Sequence, residues 1–267
     1  MTVARRQAEF IGPDSSQCFV MTYAPSEANG SGDCYVVAPA FAEEMNRSRD
    51  LLRAFGHKAA SRNAVTLIPD LRGTGDSPGD FGNYSVESWC DDLTAVVEFA
   101  RERYRHRSVT LLGIRFGALL AARISNTLAI KRLLLWQPVV EGKRMTREFL
   151  RIWSAANMNS NTTVRERLED DGTLEVAGYR VSNQLIQEVD SMSFELDSAR
   201  SIALRWLETG PTLSPRSERT IEALRHAGHD IDAVSVDCPP FWRVQERVDA
   251  TKFVTASFGT EPGCSHD

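Results

Sequence analysis

Residues Val109–Ala121 read Val-Thr-Leu-Leu-Gly-Ile-Arg-Phe-Gly-Ala-Leu-Leu-Ala. A β-branched apolar run passes through Gly113-x-Arg115-x-Gly117 straight into an Ala/Leu helix. Nothing is left over for a loop, so the chain reverses in a turn so tight that strand and helix backbones nearly touch. Glycines two residues to either side of the centre suit such a turn, because neither carries a Cβ. A turn of this kind lifts its central side chain, here Arg115, above the end of a sheet.

The surrounding pattern agrees with a sheet covered on both faces. Short apolar runs predict strands at Cys34–Ala38, Val65–Pro69, Ser108–Leu112, Leu133–Trp136, Ile202–Leu207 and Ala233–Val236. Helical spacing predicts helices over Met45–Arg62, Val86–Arg103, Phe116–Asn126 and Glu218–Ala227, the second with Leu93, Val96, Val97 and Ala100 on one face. Fully apolar strands alternating with helices indicate an α/β class with a mostly parallel central sheet. The rhythm breaks between 139 and 200, where Thr146–Ala156 predicts a helix, a polar run follows, and Leu174–Val181 holds a Gly178-Tyr179 turn. That stretch is too long for a plain crossover and predicts an inserted cap. The expected organisation is a core of 1–138 and 201–258, a cap of 139–200, and a disordered tail of 259–267.

Strand, G-x-R-x-G and helix together have the architecture of the nucleophile elbow of α/β-hydrolases, G-x-S-x-G, with arginine in place of serine. A second segment, Pro69-Asp-Leu-Arg-Gly-Thr-Gly-Asp-Ser77, looks like the D-x-R-G-x-G-x-S loop of the same fold and lies about 40 residues upstream, one helix away. Together they predict an α/β-hydrolase fold and leave the chemistry open. A triad there runs Ser, Asp/Glu, His along the chain. After Arg115 the histidines are His226, His229 and His266; the first two are expected to face solvent and the third is next to the terminus. Pro240 sits where the base is expected, and Glu208 approximates the acid. A guanidinium stays protonated and delocalised, so Arg115 is no nucleophile.

The sequence resembles the type 2 exosortase A system-associated hydrolases of bacterial exopolysaccharide and PEP-CTERM sorting clusters. The resemblance is carried by Pro39–Arg49 (PAFAEEMNRSR), Asp70–Gly82, Gly113–Ala121, Leu135–Lys143 (LWQPVVEGK), Val176–Tyr179, Pro240–Trp242 and Gln245-Glu246. It spans about residues 15–255 and weakens after Lys252. It implies a cytoplasmic accessory protein, an elbow arginine shared by the family, and a hydrolase name that rests on fold; it supplies no substrate.

A cation at a helix N-terminus opposes the macrodipole at a cost of about 0.3–1 kcal/mol, so Arg115 needs a partner. Glu43 and Glu44, in the loop after the Cys34–Ala38 strand, are the nearest candidates. Three readings stay open: a structural salt bridge, an anion site using Arg115 and the helix N-terminus, and a catalytic role with Glu43 or Glu44 as acid/base. Phe41, Ala42, Phe116, Trp136, Gln137, Phe241 and Trp242 fall at or beyond strand ends, where ligands bind in this architecture. They are candidates for an acyl or isoprenoid slot, or for packing of cap on sheet. Lys143, Arg144, Arg147 and Arg151 form a basic edge on the cap, either a solvated face or a meeting point for a polyanion.

Composition closes other classes. With 31 Lys+Arg against 36 Asp+Glu, net charge −5, and no basic block, nucleic-acid binding is disfavoured. No apolar run is long enough to span a membrane, and no h-region follows the N-terminal arginines, which predicts a cytoplasmic protein. Five cysteines at 18, 34, 90, 238 and 264, without C-x-x-C, predict free thiols. No P-loop, dinucleotide fingerprint or metal-ligand spacing occurs, so neither cofactor nor metal is expected. Three functions follow. One is a pseudoenzyme binding an anionic or acylated small molecule, with chemistry, if any, that is non-nucleophilic. The second is a true ester or thioester hydrolase or acyl transferase with a nucleophile relocated to Cys238 or Ser77. The third is an interaction module for another cytoplasmic protein of the cluster, in which the elbow crevice is closed.

Overall fold

The computed structural model describes residues 4–259 apart from 15, 28–29, 159–162, 245 and 247. Eight strands form one sheet: β1 (Arg5–Ile11), β2 (Cys18–Ala24), β3 (Gly32–Ala38), β4 (Val65–Asp70), β5 (Arg107–Ile114), β6 (Arg132–Trp136), β9 (Ala203–Thr209) and β10 (Asp230–Val236). Their order is β1-β2-β4-β3-β5-β6-β9-β10. β2 is antiparallel to both neighbours, and the remaining pairs are parallel. Helices α1 (Glu43–Ser61), α2 (Val86–Arg103), α3 (Gly117–Leu128), α7 (Pro215–His226) and α8 (Thr251–Ala256) cover the sheet. This is the α/β-hydrolase fold that the motifs predict.

Each face of the sheet has its own core. One holds Val36, Leu67, Leu111 and Leu133 against Trp89, Leu93 and Val97 of α2. The other holds Tyr35, Val37, Leu112 and Leu134 against Phe55 of α1 and Phe253 of α8. Alternate residues of one strand serve opposite cores, the period-two geometry of a strand. β1 and β2 are not among the predicted strands. β1 is an edge strand with a largely exposed Arg-Arg-Gln-Ala-Glu-Phe-Ile run, the charged edge that discourages pairing with another chain and hides the apolar signal.

The Asp70–Ser77 loop is built for structure. Arg72 donates to Asp92 through its backbone N–H (2.9 Å) and its Nε (2.6 Å), and through Nη2 to the Ser88 carbonyl (2.9 Å). Asp70 accepts from Arg49 Nη2 (2.9 Å) and from the Asp76 N–H (2.9 Å). The Ser77 hydroxyl donates to the Asp70 carbonyl and accepts from the Phe19 N–H (2.7 Å). The loop thus ties the end of β4 to α1, α2 and β2.

Between β6 and β9 lie α4 (Gly142–Ala156), α5 (Val164–Asp171), a hairpin of β7 (Thr173–Val176) and β8 (Tyr179–Ser182), and α6 (Asn183–Asp190). The hairpin turn is Ala177-Gly178, both at positive φ (50° and 84°), one residue earlier than the predicted Gly178-Tyr179. The segment meets the core beyond the C-terminal ends of β3 and β4. Phe149 packs edge-on against Phe41 (5.1 Å between ring centres), and Tyr179 against Phe81 (5.1 Å). The Val86 N–H donates to Glu188 Oε2 (2.8 Å) and Asn46 to the Tyr179 hydroxyl (2.8 Å). Gly142 lets α4 touch α6, since a methyl there would stand 1.7 Å from the Val189 carbonyl oxygen. The expected disordered tail lies, beyond Gly259, outside the described residues.

Candidate functional site

The turn between β5 and α3 places Arg115 at φ +52°, the left-handed region that non-glycine residues seldom enter. Its N–H donates to the Trp136 carbonyl (3.0 Å), and its carbonyl accepts from the N–H groups of Ala118 (3.1 Å) and Val139 (3.0 Å). Those three bonds pin the apex. The elbow glycines serve as expected: a methyl on Gly113 would lie 2.7 Å from the Ala118 Cα, and one on Gly117 1.9 Å from the Ala38 carbonyl oxygen.

Arg115 faces two cavities. One, of about 570 Å³, lies between the elbow and α4; its apolar wall is Phe41, Met145, Phe149, Ile152, Ala155, Ala177 and Trp242. The other, of about 410 Å³, lies over the ends of β6, β9 and β10 and has a mixed lining, in which Gln137, Glu141, Arg144, Glu208, Thr209 and Arg216 stand beside Val139, Val140 and Pro240. Arg115, Met145, Glu148, Trp242 and Arg243 line both. Six described non-glycine residues have clearly positive φ: Ala42, Asn63, Arg115, Ala129, Gln137 and Ala177. Three of these line the cavities and Ala42 immediately precedes Glu43 and Glu44. Backbone strain gathered in this way is a feature of functional sites.

The Arg115 guanidinium is nearly buried, its side chain 10% exposed. Nε donates to both carboxylate oxygens of Glu44 (3.3 and 3.2 Å), and Nη2 donates to Glu44 Oε1 (3.2 Å). Nη1 reaches the Gln137 carbonyl at 3.5 Å, and Glu148 stands 3.9 Å from Nη2. A guanidinium offers five N–H donors, so donors on Nη1 and Nη2 face the cavities without a close acceptor among the described residues. The Trp242 ring lies 4.9 Å from the guanidinium carbon, a cation–π contact. Burial pushes the Glu44 carboxyl up, and Arg115 opposes that shift.

The pairing selects one of the two candidate acids. Both glutamates are in the first turn of α1 rather than in the loop, where a negative charge favours the helix dipole. Glu44 points to Arg115. Glu43 pairs with Arg47 (3.5 Å) and accepts from Asn46 (3.1 Å).

Four predicted ligand residues are core residues instead. Trp136 is fully buried on the α1/α8 face, ringed by Phe55, Phe241 and Phe253, with its indole N–H donated to Ser257 (2.9 Å). Phe241 packs in the same cluster, Phe116 packs edge-on against Phe41 and Trp89, and Ala42 is buried beneath the start of α1. A position at a strand end does not say which face the side chain takes. Phe41, Gln137 and Trp242 do reach the cavities. Gln137 spends its Oε1 on the Thr209 N–H (2.7 Å) and hydroxyl (3.1 Å). Sequence reading missed Glu148, Phe149, Ile152, Ala177 and Arg243. The spacing Met145–Phe149–Ile152, one apolar helix face, is the signal that points to α4.

A family model described as serine aminopeptidase, S33, matches residues 34–185, from β3 to α6. The chain belongs to the serine aminopeptidase S33 family. Three solved structures are similar in fold. DcsB in complex with its substrate analogue has 16% identity and a TM-score of 0.62, over 95% of this chain and 98% of that one. A hypothetical protein from Pseudomonas aeruginosa has 13% identity and a TM-score of 0.59, over 97% and 94%. Est1E from Butyrivibrio proteoclasticus, bound to ferulic acid, has 13% identity and a TM-score of 0.56, over 85% and 88%. No curated protein matches the chain in sequence.

Among the described residues of this S33 family member, Glu208 is engaged and His226 and His229 stand far from Arg115. Glu208 caps α7, accepting from the Ser214 N–H (3.0 Å), the Ser217 hydroxyl and the Trp206 indole (3.1 Å). His229, expected at the surface, is buried: its Nδ1 accepts from the Ile202 N–H (3.4 Å) and its Nε2 has no partner. It precedes β10, a seven-residue strand, and so lies about 20 Å from the C-terminal edge where Arg115 stands. His226 ends α7, next to it, and His266 lies outside the described residues.

The candidates for a relocated nucleophile, Ser77 and Cys238, have these surroundings. Ser77 is fixed in its loop by the bonds given above. Burial, with Asp249 and Asp237 nearby, pushes the Cys238 thiol up, and it donates to the Pro239 carbonyl (3.5 Å). Cys18, Cys34 and Cys90 are likewise free and buried, each pushed up to about 12, mainly by burial. We expect Cys238 to react with iodoacetamide at pH 7.5 at least about tenfold slower than free cysteine, as followed by intact mass. Rapid single-site labelling there would restore the relocated-nucleophile reading. Among the described residues no group of three or more His, Cys, Asp or Glu is placed to hold a metal, and no helix is long and apolar enough to cross a membrane.

Proposed function

We propose that this chain lacks the triad chemistry of the serine hydrolases, and that it binds an anionic or acylated small molecule at the elbow. The observation that carries the reading is Arg115: a strained apex residue, held by Glu44, with N–H donors to spare on the wall of a cavity of about 570 Å³. That volume is typical of ligand pockets. A salt bridge serving stability alone would need neither strain nor an open cavity around it. The interaction-module reading expects a closed crevice, and this one is open.

The cap of residues 139–200 supplies the apolar wall through Phe149 and Ile152, and the elbow supplies the charged floor. A carboxylate or phosphate oxygen would take the free Arg115 donors, a charge-assisted bond. Any chemistry is non-nucleophilic, with Glu44 as the acid/base group because its raised affinity for a proton lies next to the anion seat. The sequence resemblance supports a cytoplasmic accessory protein of an exopolysaccharide or exosortase cluster, and the ligand proposed is an intermediate of that metabolism.

A thermal-shift screen of wild type beside Arg115→Ala tests the proposal with carboxylates, acyl-CoAs, nucleotide sugars and isoprenoid phosphates. A ligand at about 100 times its Kd should stabilise wild type by roughly 2.7 kcal/mol. In the variant the shift should vanish or need at least about tenfold more ligand, since a hydrogen bond to a charged group is worth about 1.5–3 kcal/mol. Equal shifts in both proteins would remove Arg115 from the site.

A further inference from the structure

Building on the anion site at Arg115, we infer that the ligand is a two-part amphiphile that spans both cavities. Its apolar chain lies in the larger one, its hydroxylated head in the smaller one, and an anionic linker crosses at Arg115 and Trp242.

The two cavities are chemically unlike. The larger alone has Phe41, Phe149, Ile152, Ala155 and Ala177, an apolar wall facing the charged Glu43, Glu44, Arg47 and Arg151. Residues special to the smaller include Glu141, Arg144, Thr209, Ser214 and Arg216. A simple fatty acid would leave the polar chamber empty, and a free sugar would leave the apolar one empty. The residues shared between them define the crossing, and Arg115 has donors to spare there. These are the guanidinium donors described above. Trp242 presents its ring to that guanidinium, 4.9 Å from its carbon. An oxygen-rich linker at this junction would supply acceptors for the Arg115 donors. Arg243, 3.9 Å from Glu148 and 65% exposed, adds a further cation at the crossing.

The larger cavity has room for roughly 19 water-sized atoms at about 30 Å³ each, enough for a medium-length chain. Ile152, half exposed at its mouth, presents an apolar edge to an entering chain.

The test uses isothermal titration with three probe types: n-alkyl phosphates of rising length, n-alkyl glucosides, and a lysophosphatidylinositol of matched chain. The last joins a chain to a polyhydroxylated ring through a phosphodiester. Affinity for the alkyl phosphates should rise about fourfold per methylene until the chamber is full, and lysophosphatidylinositol should bind at least about tenfold tighter than the alkyl phosphate. Ile152→Glu should weaken every chain-bearing probe at least tenfold. Arg216→Ala, at the rim of the polar chamber, should weaken lysophosphatidylinositol severalfold and leave the alkyl phosphates unchanged. Both sites are exposed enough for the variants to fold, and circular dichroism checks that they do. If alkyl phosphates bind and Arg115→Ala abolishes it, but the head adds nothing and Arg216→Ala is silent, the two-chamber inference falls and the anion site stands. If no probe binds, or binding ignores Arg115, both fall.

Discussion

Arg115→Ala should cost about 2 kcal/mol of stability at pH 8 and clearly less at pH 5. Removing one partner of a buried pair leaves the other charge uncompensated, typically at 3–5 kcal/mol; Glu44 keeps some exposure (27% of its side chain), which reduces the figure. The pH dependence follows from proton linkage. Burial already raises the Glu44 carboxyl, and Arg115 is the main influence opposing it. Without Arg115 the folded-state pKa climbs further above the unfolded value. Between those two values the folded protein holds more protons than the unfolded one, so stability falls as pH rises through the window. Below the window Glu44 is neutral in both states and the penalty is absent. Urea unfolding at the two pH values measures the difference. Glu44→Gln in the same background should recover most of the loss at pH 8 by removing the stranded charge. An Arg115→Ala loss of equal size at both pH values, unrelieved by Glu44→Gln, would show that the ion pair is not its source.

Gly117→Ala should be more damaging, by about 4 kcal/mol or more, a large share of a typical domain's 5–15 kcal/mol. The added methyl would sit 1.9 Å from the Ala38 carbonyl oxygen, 2.5 Å from its carbon and 2.6 Å from the Pro39 carbonyl oxygen. All three are backbone atoms at the end of β3, where Ala38 pairs with Gly113 of β5. No side chain can rotate away, so either α3 lifts from the sheet or β3 leaves its register. Overpacking at a rigid site costs more than the usual 1–3 kcal/mol for this reason. Gly30→Ala is the control: its nearest neighbour atom would be 3.9 Å away and its φ needs no glycine, so a change within about 0.5 kcal/mol is expected. Equal denaturation midpoints for the two variants would mean that helix and strand do not approach as closely as described.

Much of the fold was legible because local chemistry and tertiary structure agree at the strands of the sheet's centre. Val86–Arg103 coincides with α2 residue for residue, since its apolar positions follow one helix face from end to end. The edge strands β1 and β2 were not legible, because pairing there depends on a partner distant in sequence rather than on their own pattern. At the site, Arg115 and its acidic partner were legible down to a choice of two glutamates. The choice between Glu43 and Glu44 turns on 100° of helix rotation, which α1 settles by how it packs.

The sequence by itself determined the elbow, the Asp70–Ser77 loop and the absence of serine from the apex, because each rests on residue identity at fixed spacing. Only the tertiary structure decided that Trp136 and Phe241 are core, that Phe149 and Ile152 of α4 wall a cavity, that Glu208 caps α7 and that His229 is buried far from Arg115. Those outcomes depend on which face of a strand or helix meets which neighbour. That is set by packing between segments as far apart in the chain as Phe41 and Phe149, which local spacing cannot encode.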